Sequence, residues 1–205
     1  GDADRVLFID EKGNLANGDI VIGLLAEAWV SKNLLNKNTV VATVMSNLAL
    51  ELYLKKLGVN LIRTQVGDKN VSKCMNREGL NLGGEQSGHL ILADYSNAGD
   101  GLITSLQVLS VLVESQKKAS EVFNLFEPFP QSLHNIDVQK CNDFEKNEQI
   151  KNSLEKVQRS INGKGRILIR RSGTENVVRL MVEHREKNKL EETIDTCLSI
   201  LKKKI

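Results

Sequence analysis

Proline is almost absent from this chain of 205 residues: Pro128 and Pro130 are the only two. They leave long stretches on either side free of the residue that breaks helices and strands, and mark the expected domain boundary. Cysteine is nearly as scarce. Cys74, Cys141 and Cys197 lie far apart, with neither CxxC nor CxxxH spacing, which excludes a disulfide framework and a zinc site and predicts buried thiols in a reducing compartment. Net charge is lacking too, since 28 Lys and Arg oppose 26 Asp and Glu for a formal +2. No overall field exists to hold nucleic acid or an anionic membrane, so any anion site must be a local cluster. The longest apolar runs, Ile20–Ala26 and Val108–Val113, are far short of the roughly 18 residues that span a bilayer. No basic and apolar leader opens the chain, and a soluble, cytoplasmic protein is expected. The first residue is Gly1, followed at once by a polar run and a strand, which reads as a piece of something longer.

Strand and helix signals alternate over residues 17–118. Val6–Asp10 reads as a strand, Asp19 as the cap of a helix continuing through Leu34 and Leu35, and Val40–Val44 as a buried strand. A helix from Asn47 stops at Gly58, where a left-handed cap needs no Cβ. Strand Val59–Arg63, helix Asp68–Glu78, short strands at 80–82 and 89–93, and a long buried helix Gly101–Ser115 follow. The pattern predicts a three-layer α/β/α domain with a largely parallel, mixed sheet over residues 17–125. After the prolines, a strand at Ser132–Val138, a helix at Phe144–Arg159, strands at Arg166–Arg170 and Val177–Glu183 and a helix at Lys189–Leu201 predict a smaller α+β domain over 126–205. The segment joining them is expected to act as a hinge. The final lysines, 202–204, read as a solvated helix end.

Three loops carry residues suited to chemistry. Gly1-Asp2-Ala3-Asp4-Arg5 places two carboxylates two apart before a strand, a pair able to meet one hard cation such as Mg²⁺, with Arg5 beside anionic oxygens. A solvated loop fits the same residues. Gly83-Gly84-Glu85-Gln86-Ser87-Gly88-His89 packs an acid, an amide, a hydroxyl and an imidazole into a turn held open by three glycines, suited to vicinal hydroxyls of a sugar. Gly88 argues against a helical metalloprotease motif there, and a plain hairpin turn also fits. Arg170-Arg171-Ser172-Gly173-Thr174-Glu175-Asn176, with Arg179, gathers guanidiniums, hydroxyls and loop amides, the donors a phosphate dianion needs. The triphosphate-binding GxxxxGK[ST] pattern is absent, and a solvated basic turn is the plain alternative.

In this order, GDADR, GGEQSGH and RRSGTE resemble the C-terminal half of the α-D-phosphohexomutase superfamily. Thr43-Val44-Met45-Ser46-Asn47-Leu48, Val66-Gly67-Asp68-Lys69 and Gly99-Asp100-Gly101-Leu102 add to the likeness, which weakens only over about 131–165. The resemblance implies a four-domain isomerase that moves phosphate between the 1- and 6-positions of a hexose through a phosphoserine and a bisphosphate. It also implies that residues 1–16 end the second domain, 17–125 form the third and 126–205 the fourth. Asp2 and Asp4 would be Mg²⁺ ligands, Arg5 would support the reacting phosphate, and His89, beside the sugar-holding residues, would be catalytic together with Arg5. Glu85 and Ser87 would hold sugar hydroxyls, while Arg170, Ser172, Gly173, Thr174 and Arg179 would grip the other phosphate. The implied partners are a hexosamine phosphate and the preceding domains of the same protein, with no nucleic acid and no membrane. A homodimer is left open.

The departures bear on the metal and the phosphate. The superfamily's metal loop begins with a further Asp ahead of the position of Gly1, and Asn176 stands where Pro is usual. Ser132-Leu133-His134-Asn135 is superficially like the serine loop but lies within an expected strand. Met45 occupies a position that tends to be Lys in the mannose and glucose mutases, and a neutral residue better suits an amino sugar, whose ammonium a lysine would repel. The amino-sugar branch, serving UDP-N-acetylglucosamine and cell-wall precursors, is therefore expected. The alternatives are a mannose or glucose mutase of the same superfamily and a non-catalytic sugar-phosphate-binding module.

Overall fold

The computed structural model describes residues 3–137, 147–172 and 175–202. The chain divides into two compact units, Gly1–Pro128 and Phe129–Ile205. In the first, a short antiparallel pair, β1 (Phe8–Ile9) and β2 (Leu15–Ala16), precedes a four-stranded sheet. Its strands β3 (Thr39–Thr43), β4 (Asn60–Thr64), β5 (Leu82–Gly84) and β6 (Leu90–Leu92) run in the order β4-β3-β5-β6, parallel except for the β5/β6 pair.

Alternation along the fully buried β3 divides the layers. Val40 and Ala42 join the cluster built with α1 (Gly18–Ser31), α2 (Leu48–Lys56) and α4 (Gly101–Ser115), while Val41 packs with Val71, Cys74 and Met75 of α3 (Asp68–Glu78). This is the three-layer arrangement that the alternating pattern predicts. A four-residue helix, α5 (Ala119–Val122), closes the unit. Among the described residues, no helix is long and apolar enough to cross a membrane.

Three local expectations are corrected. The first helix stops at Ser31 instead of reaching Leu35, because Asn33 turns into the left-handed region (φ 55). Its cap is Asn17, whose side chain accepts from the Asp19 and Ile20 N–H groups, so Asp19 lies inside the first turn and is buried. Helix α4 has the expected bounds but is not a buried helix: Leu102, Leu106, Leu109 and Val113 are 50–76% exposed.

The second unit is a three-stranded antiparallel sheet in the order β7-β9-β8, from β7 (Gln131–Asp137), β8 (Gly165–Arg171) and β9 (Val177–His184). Helices α6 (Glu148–Ser160) and α7 (Lys187–Lys202) pack with it around Leu180, Val182, Ile150, Ile194 and Cys197. This is the smaller α+β domain. In β9, Leu180 and Val182 face that core, Val178 is buried two residues earlier on the same face, and Arg179 lies on the opposite face. Cys74 and Cys197 are free, buried thiols, and burial pushes Cys197 up to about 11. Cys141, Val138, residues 144–146 of the expected helix and the lysines at 203–204 lie outside the described residues.

Candidate functional site

The aspartate loop and the glycine-rich turn meet in the first unit. Arg5 and His89 face each other as an antiparallel bridge, and the Val6 N–H donates to the Gly88 carbonyl at 3.1 Å. Ala3, at φ 58, turns the chain so that its carbonyl accepts from the Gly101 N–H at 2.8 Å. These main-chain bonds bring Asp4 to His89, with Oδ2 to Nε2 at 3.6 Å. His89 is 7% exposed, and its Nδ1 is buried without a hydrogen-bond partner among the described residues. Oδ1 of Asp4 is likewise buried and accepts no hydrogen bond there, with Arg5 Nε at 3.5 Å. Gly99 permits the packing of the imidazole: a Cβ at this position would lie 2.3 Å from the ring. Asp4, His89 and Gly99 line a cleft of about 520 Å³, with Asp68, Lys69 and Lys73 of α3 along its other side. Asp2 lies outside the described residues.

The turn between β5 and β6 is held on every side. The Glu85 N–H donates to the His89 carbonyl and the Gly88 N–H to the Glu85 carbonyl, closing the turn. Oε1 of Glu85 accepts from the Gly67 N–H at 3.0 Å, while Ser87 is exposed. Gln86 is fixed at both ends: its carbonyl accepts from the Gly18 N–H at 3.0 Å, and its Nε2 donates to Asp19 Oδ2 at 3.1 Å. That same oxygen accepts from the Asn47 N–H at 2.8 Å. Burial pushes the Asp19 carboxyl above the ordinary range, while the Asn47 N–H, the Ser46 hydroxyl, the Gln86 amide and the Arg63 guanidinium pull the other way. Arg63 also straps the loop at 43–47, donating to the Ser46 carbonyl at 2.7 Å and the Thr43 carbonyl at 3.2 Å and pairing with Glu51 at 3.0 Å.

In the second unit, Arg170 and Arg179 are directly opposed across β8 and β9. The loop between the strands is closed by the Ser172 N–H donating to the Val177 carbonyl at 2.9 Å, and Ser172 Oγ accepts from the Glu175 N–H at 3.2 Å. Arg179 pairs with Glu175 at 2.6 Å, yet its Nε is buried with no hydrogen-bond partner among the described residues. Gly173 and Thr174 lie outside those residues. Ser132 and His134, which superficially match a serine loop, sit within β7, their side chains 3.0 Å apart.

The structure thus brings Asp4, Arg5 and His89 together, puts Glu85 and Ser87 on one turn, and gathers Arg170, Ser172 and Arg179 on one hairpin. Sequence reading took Asp19 only as a helix cap, Gln86 and Gly99 only as members of their motifs and Arg63 only as a strand residue, with no site role for any of them. Gly18 next to Asp19 was the available signal, because a Cβ there would fall 2.0 Å from the Glu85 carbonyl oxygen, so the pair marks a close backbone approach.

A fold of this kind carrying these loops matches known proteins. The profile described as phosphoglucomutase/phosphomannomutase, alpha/beta/alpha domain III, matches residues 17–129, and that of the same family's C-terminal domain matches 133–198. The chain belongs to the phosphoglucomutase/phosphomannomutase family. Within it, the chain is similar to the phosphoglucosamine mutase of Zymomonas mobilis, 48% identical over 195 residues, covering 95% of this chain and 44% of that protein. The Granulibacter bethesdensis phosphoglucosamine mutase is 46% identical over 201 residues, covering 98% and 44%. The chain therefore spans less than half the length of the curated relatives it matches. Among solved structures, an Aspergillus fumigatus N-acetylphosphoglucosamine mutase superposes with a TM-score of 0.79 at 20% identity over 97% of this chain and 46% of that one. The same fungal enzyme in complex with GlcNAc-6P and magnesium gives 0.77 at 21% identity, over 98% and 50%. These two show a shared fold.

Proposed function

We propose that this chain is the substrate-binding C-terminal half of a phosphoglucosamine mutase, which interconverts glucosamine 6-phosphate and glucosamine 1-phosphate through a phosphoserine and a bisphosphate. The serine would lie in the part of the relatives' length that this chain does not span. The observation that carries the reading is the opposed Arg170 and Arg179 beside the Ser172 loop, with the Arg179 Nε buried and without a hydrogen-bond partner among the described residues. Like charges directly opposite one another on a sheet are destabilising, and a dianion between them reverses the sign. Gly173 and Thr174 would complete this phosphate grip.

Each unit then has its own task. In the first, Glu85 and Ser87 would accept from and donate to sugar hydroxyls, and the neutral Met45 avoids repelling the ammonium of an amino sugar. Beside them, Arg5 would steady the reacting phosphate, and His89, next to a carboxylate, can take or give a proton at a sugar hydroxyl. Oδ1 of Asp4, buried and without a hydrogen-bond partner among the described residues, suits a hard cation, and Asp2 would be its second carboxylate. Mg²⁺ bound there would supply positive charge to phosphoryl oxygens. No group of three or more His, Cys, Asp or Glu suited to a metal is found among the described residues. The free thiols of Cys74 and Cys197 suit a cytoplasmic setting.

Titration of the chain with glucosamine 6-phosphate, inorganic phosphate and glucosamine tests the reading. Both phosphates are expected to bind, the sugar phosphate more tightly, and glucosamine barely at all. Tight binding of unphosphorylated glucosamine, or no binding of either phosphate, would contradict it.

A further inference from the structure

Three segments far apart in sequence converge on one buried carboxylate. Asp19, in the first turn of α1, is 1% exposed. Its Oδ2 takes the main-chain N–H of Asn47, which caps α2, and the side-chain amide of Gln86, in the middle of the glycine-rich turn. The Ser46 hydroxyl is a further hydrogen-bonding neighbour, and Arg63 supplies the nearby positive charge while holding the carbonyls of Thr43 and Ser46. Taking a carboxylate out of water is unfavourable unless it is hydrogen-bonded, and for packing alone an aliphatic side chain would serve better.

We propose that Asp19 is a positioning residue for the sugar-binding turn, acting through Gln86. This rests on the reading that Glu85 and Ser87 meet the sugar. Gln86 stands between those two. With its carbonyl tied to the Gly18 N–H and its amide tied to Asp19, the peptide groups on either side of it have fixed orientations, and so have the directions in which Glu85 and Ser87 leave the backbone. The Asn47 bond links the same carboxylate to the loop that carries Met45, so the two sugar-facing loops share one anchor. Asp19 touches no substrate in this scheme. Its contribution is that the turn is already in its binding conformation before the sugar arrives, which removes an ordering cost from the affinity.

The test uses Asp19→Asn, Gln86→Ala and the double variant in the 205-residue chain, with two readouts. The first is affinity for glucosamine 6-phosphate against inorganic phosphate. Each single variant is expected to weaken the sugar phosphate by about tenfold, the scale of one hydrogen bond to a charged group, and to leave inorganic phosphate unchanged. The double variant is expected to be no worse than the poorer single one, because both break the same link. The second readout needs no sugar. Exchange of the Asn47, Glu85 and Gly88 amide hydrogens is expected to quicken in Asp19→Asn, and that of Glu85 and Gly88 in Gln86→Ala, relative to the β3 amides of the same sample. If wild-type chain prefers glucosamine 6-phosphate no more than phosphate, the sugar reading fails while exchange still decides the positioning role. Losses that add in the double variant, or exchange that changes in step across the whole first unit or not at all, would overturn the proposal.

Discussion

Arg170 on β8 and Arg179 on β9 are directly opposed, and only Arg179 has a carboxylate, Glu175 at 2.6 Å, among the described ion pairs of the two. A cross-strand pair of guanidiniums is a liability in an empty sheet and an asset once a dianion is bound. The Ser172 loop closes the end of the same hairpin, its N–H donating to the Val177 carbonyl and its hydroxyl oxygen accepting from the Glu175 N–H.

Replacing Arg170 by Leu is therefore expected to leave the second unit as stable as wild type or more so at low salt, by about 0.2–1 kcal/mol. Phosphate should raise the melting temperature of wild type, by linkage, and raise that of Arg170→Leu much less. Thermal melts with and without phosphate check this. Equal phosphate shifts in both proteins would remove Arg170 from the site.

The buried Asp19 makes a prediction with a definite sign. Its folded pKa is raised above the ordinary 3.8, so the folded state holds this proton more tightly than the unfolded state does. Its contribution to stability is then greatest below the ordinary aspartate pKa and is lost as pH rises through the raised value. Asp19→Asn removes that dependence. The stability of Asp19→Asn minus that of wild type is expected to be most favourable to the variant near pH 7 and to shrink toward pH 4. Urea melts across this range check it, and a difference growing toward acid pH would contradict it.

Gly99 is expected to tolerate no side chain. A Cβ would lie 2.3 Å from Cε1 and Nε2 of the His89 ring, which is too buried to yield freely. Gly99→Ala should destabilise the first unit by about 1–3 kcal/mol, the range of overpacked cores, and displace the imidazole from Asp4. Urea melts and the His89 ring resonances check this. An unchanged melt together with unchanged resonances would show that the ring is not held as described.

The layer order and the hairpin were legible in the sequence because their signals are local. Asn47 and Gly58 bracket α2 as cap and left-handed stop, and the apolar run Leu180-Met181-Val182 marks β9 as a strand. Each of the three loops was visible for the same reason, its residues being contiguous. What could not be read is long-range or competitive. Asn17 displaces Asp19 as the helix cap because both types can accept from the first N–H groups, and only the tertiary structure shows which one is turned inward to meet Gln86, 67 residues away. The run Leu102, Leu106, Leu109, Val113 has helical spacing, which predicts an apolar face but not whether it is covered.

The central proposal is that the affinity of this chain for a sugar phosphate rests on a phosphate grip in the second unit. The direct measurement is titration of glucosamine 6-phosphate against wild type, Arg179→Ala and Ser87→Ala at two ionic strengths. Hydrogen bonds to a charged group contribute about 1.5–3 kcal/mol and neutral ones about 0.5–1.5 kcal/mol. Arg179→Ala is thus expected to weaken binding by about 10- to 150-fold, Ser87→Ala by less, and wild-type affinity to fall with added salt. Equal losses in the two variants, or unchanged binding in Arg179→Ala, would contradict the account and leave the arginine hairpin as solvated surface.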